Sequence, residues 1–316
     1  PLFGWARAYP ETTGYLLDTL LDYAEIKKDP GLRQDASSCA DWLCSIQLPS
    51  GAWPGLLAGH TQPSVFNTAQ ILFGLTRMLQ ETGEEKFRMA ISQATDWLLS
   101  VLEADGSWRQ AAYVPGFVPS YYTRAVWGVL RANQFLKNPE IEVAMRKALP
   151  YYAGRFLPNG AIRDWGFWPG KPAFTHTIAY TVEGFLESAL LLADMEILQK
   201  TMSSADIFYS IVREKGRTAG RYDEAWRGDY SFLCLTGNAQ WSAIFQRLFV
   251  LTGKEKYRQA VLFFLAEIVN YQSLGLRKNP YGALPGSSPF WGPYLRFRYP
   301  NWGVKFFLDA MLGIKS

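Results

Sequence analysis

The sequence has little of what covalently stapled or metal-held scaffolds need. Its 316 residues include three cysteines and two histidines. An odd cysteine count in so long a chain speaks against a disulfide framework. Cys39 and Cys44 lie five apart in a helical stretch, a poor zinc spacing with so little histidine, and both are read with Cys234 as buried free thiols. No apolar run reaches the roughly 18 residues of a membrane span. No secretory leader is visible either, so the compartment stays open. Lys and Arg number 32 against 28 Asp and Glu, for a net charge of +4. They form no basic run, whereas nucleic-acid binders usually concentrate such charge in a stripe. The expectation is therefore a chain with no nucleic-acid partner, no membrane span, no cofactor and no metal set. The oligomeric state is not legible.

What is abundant is aromatic. There are 12 Trp, 17 Tyr and 20 Phe, and 48% of the residues are hydrophobic, enough for a sizeable core. Aromatics are only middling helix formers, so a helical chain this rich in them uses them for something besides helix packing.

The chain repeats itself. At a shift of about 55 residues, Asp41-Trp42-Leu43 falls on Asp96-Trp97-Leu98, and Gly51-Ala52-Trp53 falls on Gly106-Ser107-Trp108. Farther apart, Thr82-Gly83-Glu84-Glu85-Lys86-Phe87-Arg88 matches Thr252-Gly253-Lys254-Glu255-Lys256-Tyr257-Arg258. Each of these reads as a glycine-terminated helix, a tight turn and a new helix start. Two helix types alternate. One is apolar nearly all round, as in 66–78, 122–135, 176–192 and 239–251, and so is buried on most faces. The other is charged on one side, as in 32–46, 86–102, 140–156 and 256–271, and suits an outer layer. The inner type begins near Pro10, Ser64, Ser120, Phe174, Gly237 and Pro300. The expected fold is all-α: a toroid of about six helical hairpins, with six inner and five or six outer helices, in a single domain over 1–316. Long Gly, Pro and aromatic segments at 47–63, 104–119, 157–173, 214–235 and 273–299 lead from outer helices into inner ones. They should gather at one end as a funnel. Loops of that length in a compact domain are usually functional.

Gln47-Leu48-Pro49-Ser50-Gly51-Ala52-Trp53 resembles the Q-x-x-x-G-x-W repeat of terpenoid cyclases, and the copy ending at Trp108 keeps Gly and Trp without the Gln. The hairpin period and turns resemble the wider α/α-toroid group, which includes six-hairpin glycosidases, polysaccharide lyases and prenyltransferases. The segment Tyr9-Pro10-Glu11-Thr12-Thr13-Gly14-Tyr15 is similar to toroid proteins associated with bacterial polysaccharide clusters. The acidic D-x-D-D and D-D-x-x-D motifs of isoprenoid chemistry are missing, as are a prenyltransferase zinc set and the Asn-His pair of one alginate-lyase family. What the resemblance implies is a toroid with a substrate funnel. It does not by itself assign a reaction.

Sugars suit such a funnel, since their C–H faces pack on aromatic rings while their hydroxyls need carboxylates, amides and guanidinium groups. The third long loop carries Arg163, Asp164, Trp165 and Trp168, and the fourth carries Arg221, Tyr222, Asp223, Glu224 and Trp226. Together with Trp53 and Trp108 these make a candidate carbohydrate-binding set. The competing reading pairs Asp with Arg inside each loop and uses the Trp rings as core caps. Glu11 sits in a helix first turn, where an acid favours the dipole and where it could equally face the funnel. Glu183 lies within an apolar helix and must be paired or protonated. His176 and Tyr180 share a helix face at i, i+4 spacing. The amides Asn67, Gln70, Asn238 and Gln240 stand near inner-helix starts.

A glycoside hydrolase needs two carboxylates across the funnel, about 5–5.5 Å apart for retention or about 6.5–9.5 Å for inversion. Asp164, Asp223, Glu224 and Glu11 are the candidates. A lyase or epimerase needs His/Tyr chemistry, for which His176, Tyr180 and Tyr222 are the candidates, with an arginine clamp from Arg163 or Arg221. Hydrolysis of a poly- or oligosaccharide, neutral or acidic, is favoured over elimination. The mildly basic balance leans toward an anionic glycan. An isoprenoid-handling toroid would instead have an apolar funnel, and a non-catalytic glycan-binding protein would show binding without turnover.

Overall fold

The computed structural model describes residue 4 and residues 6–274 and 281–313. Residues 275–280 of the fifth long loop lie outside the described residues. The described chain forms five helix pairs and an eleventh helix. The inner members are α1 (Pro10–Lys27), α3 (Val65–Thr82), α5 (Thr123–Leu136), α7 (Thr175–Leu192), α9 (Leu235–Thr252) and α11 (Asn301–Leu312). The outer members are α2 (Pro30–Ser45), α4 (Glu85–Ser100), α6 (Pro139–Ala153), α8 (Met195–Lys215) and α10 (Glu255–Ala266). Each inner helix packs on the next, α11 packs on both α9 and α1, and each outer helix backs its own inner partner. The ring is therefore closed, an α/α toroid. α1 starts at the expected Pro10, while α3, α7 and α11 start one residue later than expected, α9 two residues earlier at Leu235, and α5 at Thr123 after a short 3-10 turn over Ser120–Tyr122.

Local chemistry sets the ends. Pro10, Pro30 and Pro139 open helices, where a missing N–H costs nothing. Asp29, Asn138 and Asp194 cap with their side chains. Gly83 and Gly253 end α3 and α9 in the left-handed conformation, as the matching turns predict. The long loops are not purely irregular. Ala173–Phe174 (β1), Arg221–Tyr222 (β2) and Gly228–Asp229 (β3) form a small antiparallel sheet that binds the third loop to the fourth. Leu233–Cys234 (β4) pairs with Ser287–Ser288 (β5). Two-residue strands carry no periodicity, so the sequence shows only loops there.

The Gly-x-Trp motif is a helix-end clasp. Trp53 is fully buried and its indole N–H donates to the Leu43 carbonyl at 2.7 Å; Trp108 repeats this with Leu98 at 2.9 Å. Each satisfies an orphan carbonyl at the end of an outer helix. Gly51 and Gly106 turn with φ of +90° and +89°, and a Cβ on either would lie within 2.6 Å of a carbonyl oxygen on the next outer helix. Leu157 to Ile162 is a third copy. Leu157 N–H bonds the Ala161 carbonyl at 2.8 Å, as Leu48 bonds Ala52 and Glu103 bonds Ser107. A buried Ile162 stands where the other copies have Trp, so this one lacks the motif's signature in sequence.

The inner ring is drawn tight by missing side chains. A Cβ on Gly74 would lie 2.0 Å from the Gly14 carbonyl oxygen, on Gly128 2.4 Å from that of Ala69, on Gly184 2.5 Å from the Arg124 nitrogen, and on Gly237 2.6 Å from the His176 nitrogen. Each of these seams between successive inner helices thus passes backbone against backbone. Gly128→Ala should force α3 and α5 apart and cost about 1–3 kcal/mol as an overpacking change. A urea-denaturation midpoint equal to wild type would show the seam to be looser than this.

Candidate functional site

The ring's axis holds a cavity of about 140 Å³. Glu11 and Tyr15 from α1 line it, with Phe66 from α3 and His176 and Tyr180 from α7. The loops close it with Tyr9, Tyr113, Tyr121 and Phe167, and Tyr294, Leu295 and Trp302 complete the wall. Rings meet rings throughout. Tyr180 lies 4.3 Å from His176 and 5.6 Å from Phe66 between centroids, and Tyr294 lies 5.5 Å from His176. Leu295 is the one aliphatic side chain among the described lining residues. The wall is aromatic and largely apolar, the character expected of an isoprenoid-handling toroid, but it also carries tyrosine hydroxyls and one carboxyl.

Glu11 is the one acidic group among the described lining residues, so the pair of carboxylates expected across the funnel of a glycoside hydrolase is not found among them. Burial pushes its carboxyl up from the ordinary 4.5 to about 7, with the Tyr9 hydroxyl and the Arg124 charge pulling only part of the way back. Tyr9 continues to Tyr113 at 3.3 Å between hydroxyls, and Tyr113 donates to the Asn67 side-chain oxygen. Asn67 is itself held by its amide on the Pro54 carbonyl at 3.0 Å. A chain of hydroxyls thus runs from the acid to a fixed amide.

His176 is buried, and burial pushes it the other way, down to about 3. Its Nδ1 lies 2.6 Å from Gln240 Oε1. With that oxygen accepting, Nδ1 carries the proton and Nε2 keeps its lone pair.

Beneath the aromatics lies Arg124, buried on α5 with its guanidinium 4.4 Å from the Tyr180 ring and 5.0 Å from that of Trp127. It donates to Gln70 Oε1 at 2.8 Å and to the Glu183 carboxylate. Three inner helices are tied at one point, so Glu183 is a partner of this arginine. Farther along, Arg131 makes a two-pronged pair with Asp18 at 2.7 Å for both contacts, and Arg77 reaches Asp22 at 2.8 Å.

The structure divides the sequence candidates. Glu11, His176 and Tyr180 meet in the cavity. Asp164, Asp223 and Glu224 do not line it. The Asp164 N–H donates to Glu224 Oε1 at 3.0 Å, and its carboxylate faces Arg155 at 3.7 Å. Asp223 accepts from the N–H groups of Ala225 and Arg227, each at 2.9 Å, and from Arg227 Nε at 2.7 Å, so it closes its own turn. Arg221 pairs with Asp229 at 2.8 Å, and Arg163 is exposed. Neither arginine faces the cavity as a clamp. Trp53, Trp108 and Trp165 are core, and the Tyr222 hydroxyl accepts from the Ala219 N–H inside the fourth loop. Trp226 packs on Trp165 at 5.0 Å and donates to the Asn159 carbonyl. Trp168 is 60% exposed and outside the cavity. In the third and fourth loops β1 to β3 bind the two to each other, so their polar groups satisfy one another, while Trp53 and Trp108 are taken up by the outer-helix ends.

Tyr9, Tyr113 and Arg124 belong to the site without having been sequence candidates. Tyr9 directly precedes the Pro10 helix start and adjoins Glu11, which was a usable signal. Tyr113 and Arg124 carried none, because their roles depend on contacts with residues 46 to 104 positions away. The cysteines are free, as expected, but Cys39 and Cys44 are only half-buried. Burial pushes Cys234 up to about 12.

The axial charges predict two outcomes. Glu11 binds its proton more tightly folded than unfolded, so stability should fall as pH rises from about 4.5 through about 7. Glu11→Gln should flatten that slope and exceed wild type in urea midpoint at pH 8, while matching it near pH 4.5. Arg124→Met should cost about 3 kcal/mol by stranding Glu183, and adding Glu183→Met should recover most of that loss. If the double variant is no better than the single one, the pair is not the source of the loss.

The sequence matches no family model and no curated protein sequence. The fold, by contrast, has solved counterparts. An unsaturated glucuronyl hydrolase from Bacillus sp. GL1 superposes with a TM-score of 0.75 at 14% identity, over 96% of this chain and 86% of that one. A heparin-specific unsaturated glucuronyl hydrolase gives 0.73 at 14% identity, over 97% and 86%. A cellobiose 2-epimerase from Spirochaeta thermophila gives 0.70 at 14% identity, over 97% and 86%. These structures are six-hairpin glycosidase-like toroids, and it is their α/α-toroid fold that this chain shares.

Proposed function

We propose that this chain is a carbohydrate-active enzyme, a glycoside hydrolase that takes the terminal sugar of an oligosaccharide into the axial cavity. The observation that carries the reading is Glu11: a carboxyl buried among tyrosines, with its pKa near the operating pH where a general acid works best. The named activities of the structural neighbours, glucuronyl hydrolases and a cellobiose epimerase, support the substrate class. A cavity of 140 Å³ is below the usual range for drug-sized ligands and suits a chain end rather than a polymer's middle.

Glu11 protonates the glycosidic oxygen as the bond to the anomeric carbon breaks. The leaving sugar departs as an alcohol, and positive charge spreads over the ring oxygen and anomeric carbon. Water attacks that carbon. His176, kept neutral, accepts a hydrogen bond from that water at Nε2 and so aims it, and the proton the water loses as it adds passes to solvent, from which Glu11 is reprotonated. The tyrosine rings pack on the sugar's C–H face while their hydroxyls meet its own.

Two observations favour hydrolysis over elimination or epimerisation. Both alternatives require abstraction of a C–H proton, and a base held at about 3 is badly matched to it. A uronate would also need a cation, and no Lys or Arg is among the described lining residues. That same lining turns the substrate expectation from an anionic glycan toward a neutral one, against the lean of the net charge.

The test is a panel of neutral and uronic oligosaccharides, assayed for new reducing ends and for ultraviolet absorbance of unsaturated products. Reducing ends should appear with neutral substrates, with kcat declining above about pH 7. Glu11→Gln should lower kcat by about 100-fold or more. Unsaturated products, or full activity in Glu11→Gln, would sink the reading.

A further inference from the structure

A second cavity adjoins the first. It measures about 500 Å³ and lies between the first and second long loops, over the end of α4. Tyr113 lines both spaces, so its ring is the wall they share. The polar side chains around the larger one are His60, Gln62, Ser64 and Gln110, and the broad apolar surface comes from Leu56 and Trp97. Among the described lining residues there is no Asp, Glu, Lys or Arg. His60, Gln62 and Gln110 are exposed, so the core does not use their polar ends.

We infer that this cavity is the subsite for the rest of the oligosaccharide, the part that leaves when the terminal sugar is cut, and that it selects neutral sugar units. The inference rests on the hydrolase reading for its direction of cleavage, and on the cavity for its chemistry. Amides and an imidazole offer the mixed donors and acceptors that hydroxyl groups need. Trp97 and Tyr113 offer flat faces for C–H packing. A carboxylate in this space would find no Lys or Arg among the described lining residues to pair with. The size difference fits the division of labour: the 140 Å³ cavity takes one ring at the acid, and the 500 Å³ cavity takes the remaining sugar units. Tyr113 stands at the crossing, hydrogen-bonded to Tyr9 and so linked to Glu11.

The experiment is calorimetric binding of glucose, cellotriose and trigalacturonate to the whole chain, to Glu11→Gln, and to the triple variant His60→Ala, Gln62→Ala, Gln110→Ala. The three exposed side chains can be removed without opening the core. Wild type should bind cellotriose at least about tenfold more tightly than glucose or trigalacturonate, as two or more added hydrogen bonds would give. Glu11→Gln should keep that preference, and the triple variant should lose it while binding glucose as before. Cellotriose binding unchanged in the triple variant, trigalacturonate bound as well as cellotriose, or no saccharide bound at all would each overturn the subsite. The predicted binding pattern with no hydrolysis of any oligosaccharide would overturn the hydrolase reading and leave the subsite standing.

Discussion

The close approach of successive inner helices governs the rest of the molecule. Gly74, Gly128, Gly184 and Gly237 let one helix backbone touch the next where any side chain would collide. Five helices drawn together this way, with α11 closing the ring, leave an axis only wide enough for rings and a few paired charges. The seams also set the site directly: Gly184 admits the backbone at Arg124, and Gly237 admits the backbone at His176. The His176 and Gln240 side chains then meet at 2.6 Å because their helices can.

That narrow axis shifts the ionisable groups on it by taking them out of bulk solvent. The same desolvation raises Glu11 and lowers His176, since burial penalises whichever form is charged. An acid that keeps its proton near neutrality and an imidazole that refuses one are thus held in one cavity. Arg124 and Glu183 enter the same low-dielectric space as a pair, and burial pushes the Glu183 carboxyl up although Arg124 pulls it part of the way back. A funnel with the same residues open to solvent would have neither property.

Much of the architecture was legible beforehand, for a definite reason. Helix periodicity, prolines at helix starts, glycines at helix ends and the repeated Gly-x-Trp are local or nearly local signals. They gave the alternation of inner and outer helices and the starts at Pro10, Ser64 and Pro300 to within a residue or so. The site was legible only where a candidate lay on an inner helix. Glu11, His176 and Tyr180 were placed by helix geometry that the sequence already specified. Asp164, Asp223, Glu224, Arg163 and Arg221 were placed by loops. Loop residues that can satisfy one another across two-residue strands give no sign of it in their order along the chain. The richness in tryptophan pointed to sugar contacts. Yet Trp53 and Trp108 bury their indoles to close helix ends, and the cavity takes most of its rings from tyrosine and phenylalanine.

The chain's own order of residues determined the helical repeat, the two helix types and the clustering of long loops at inner-helix starts, because each depends on spacings within a few turns of helix or on one recurring period. Tertiary structure alone decided which loop closes the cavity, which carboxyl loses its water, and that Tyr113 stands between a small cavity and a larger one. Those outcomes rest on desolvation and on contacts between segments tens to hundreds of residues apart. Neither has a signature in local sequence, since the energy of a buried charge depends on everything packed around it.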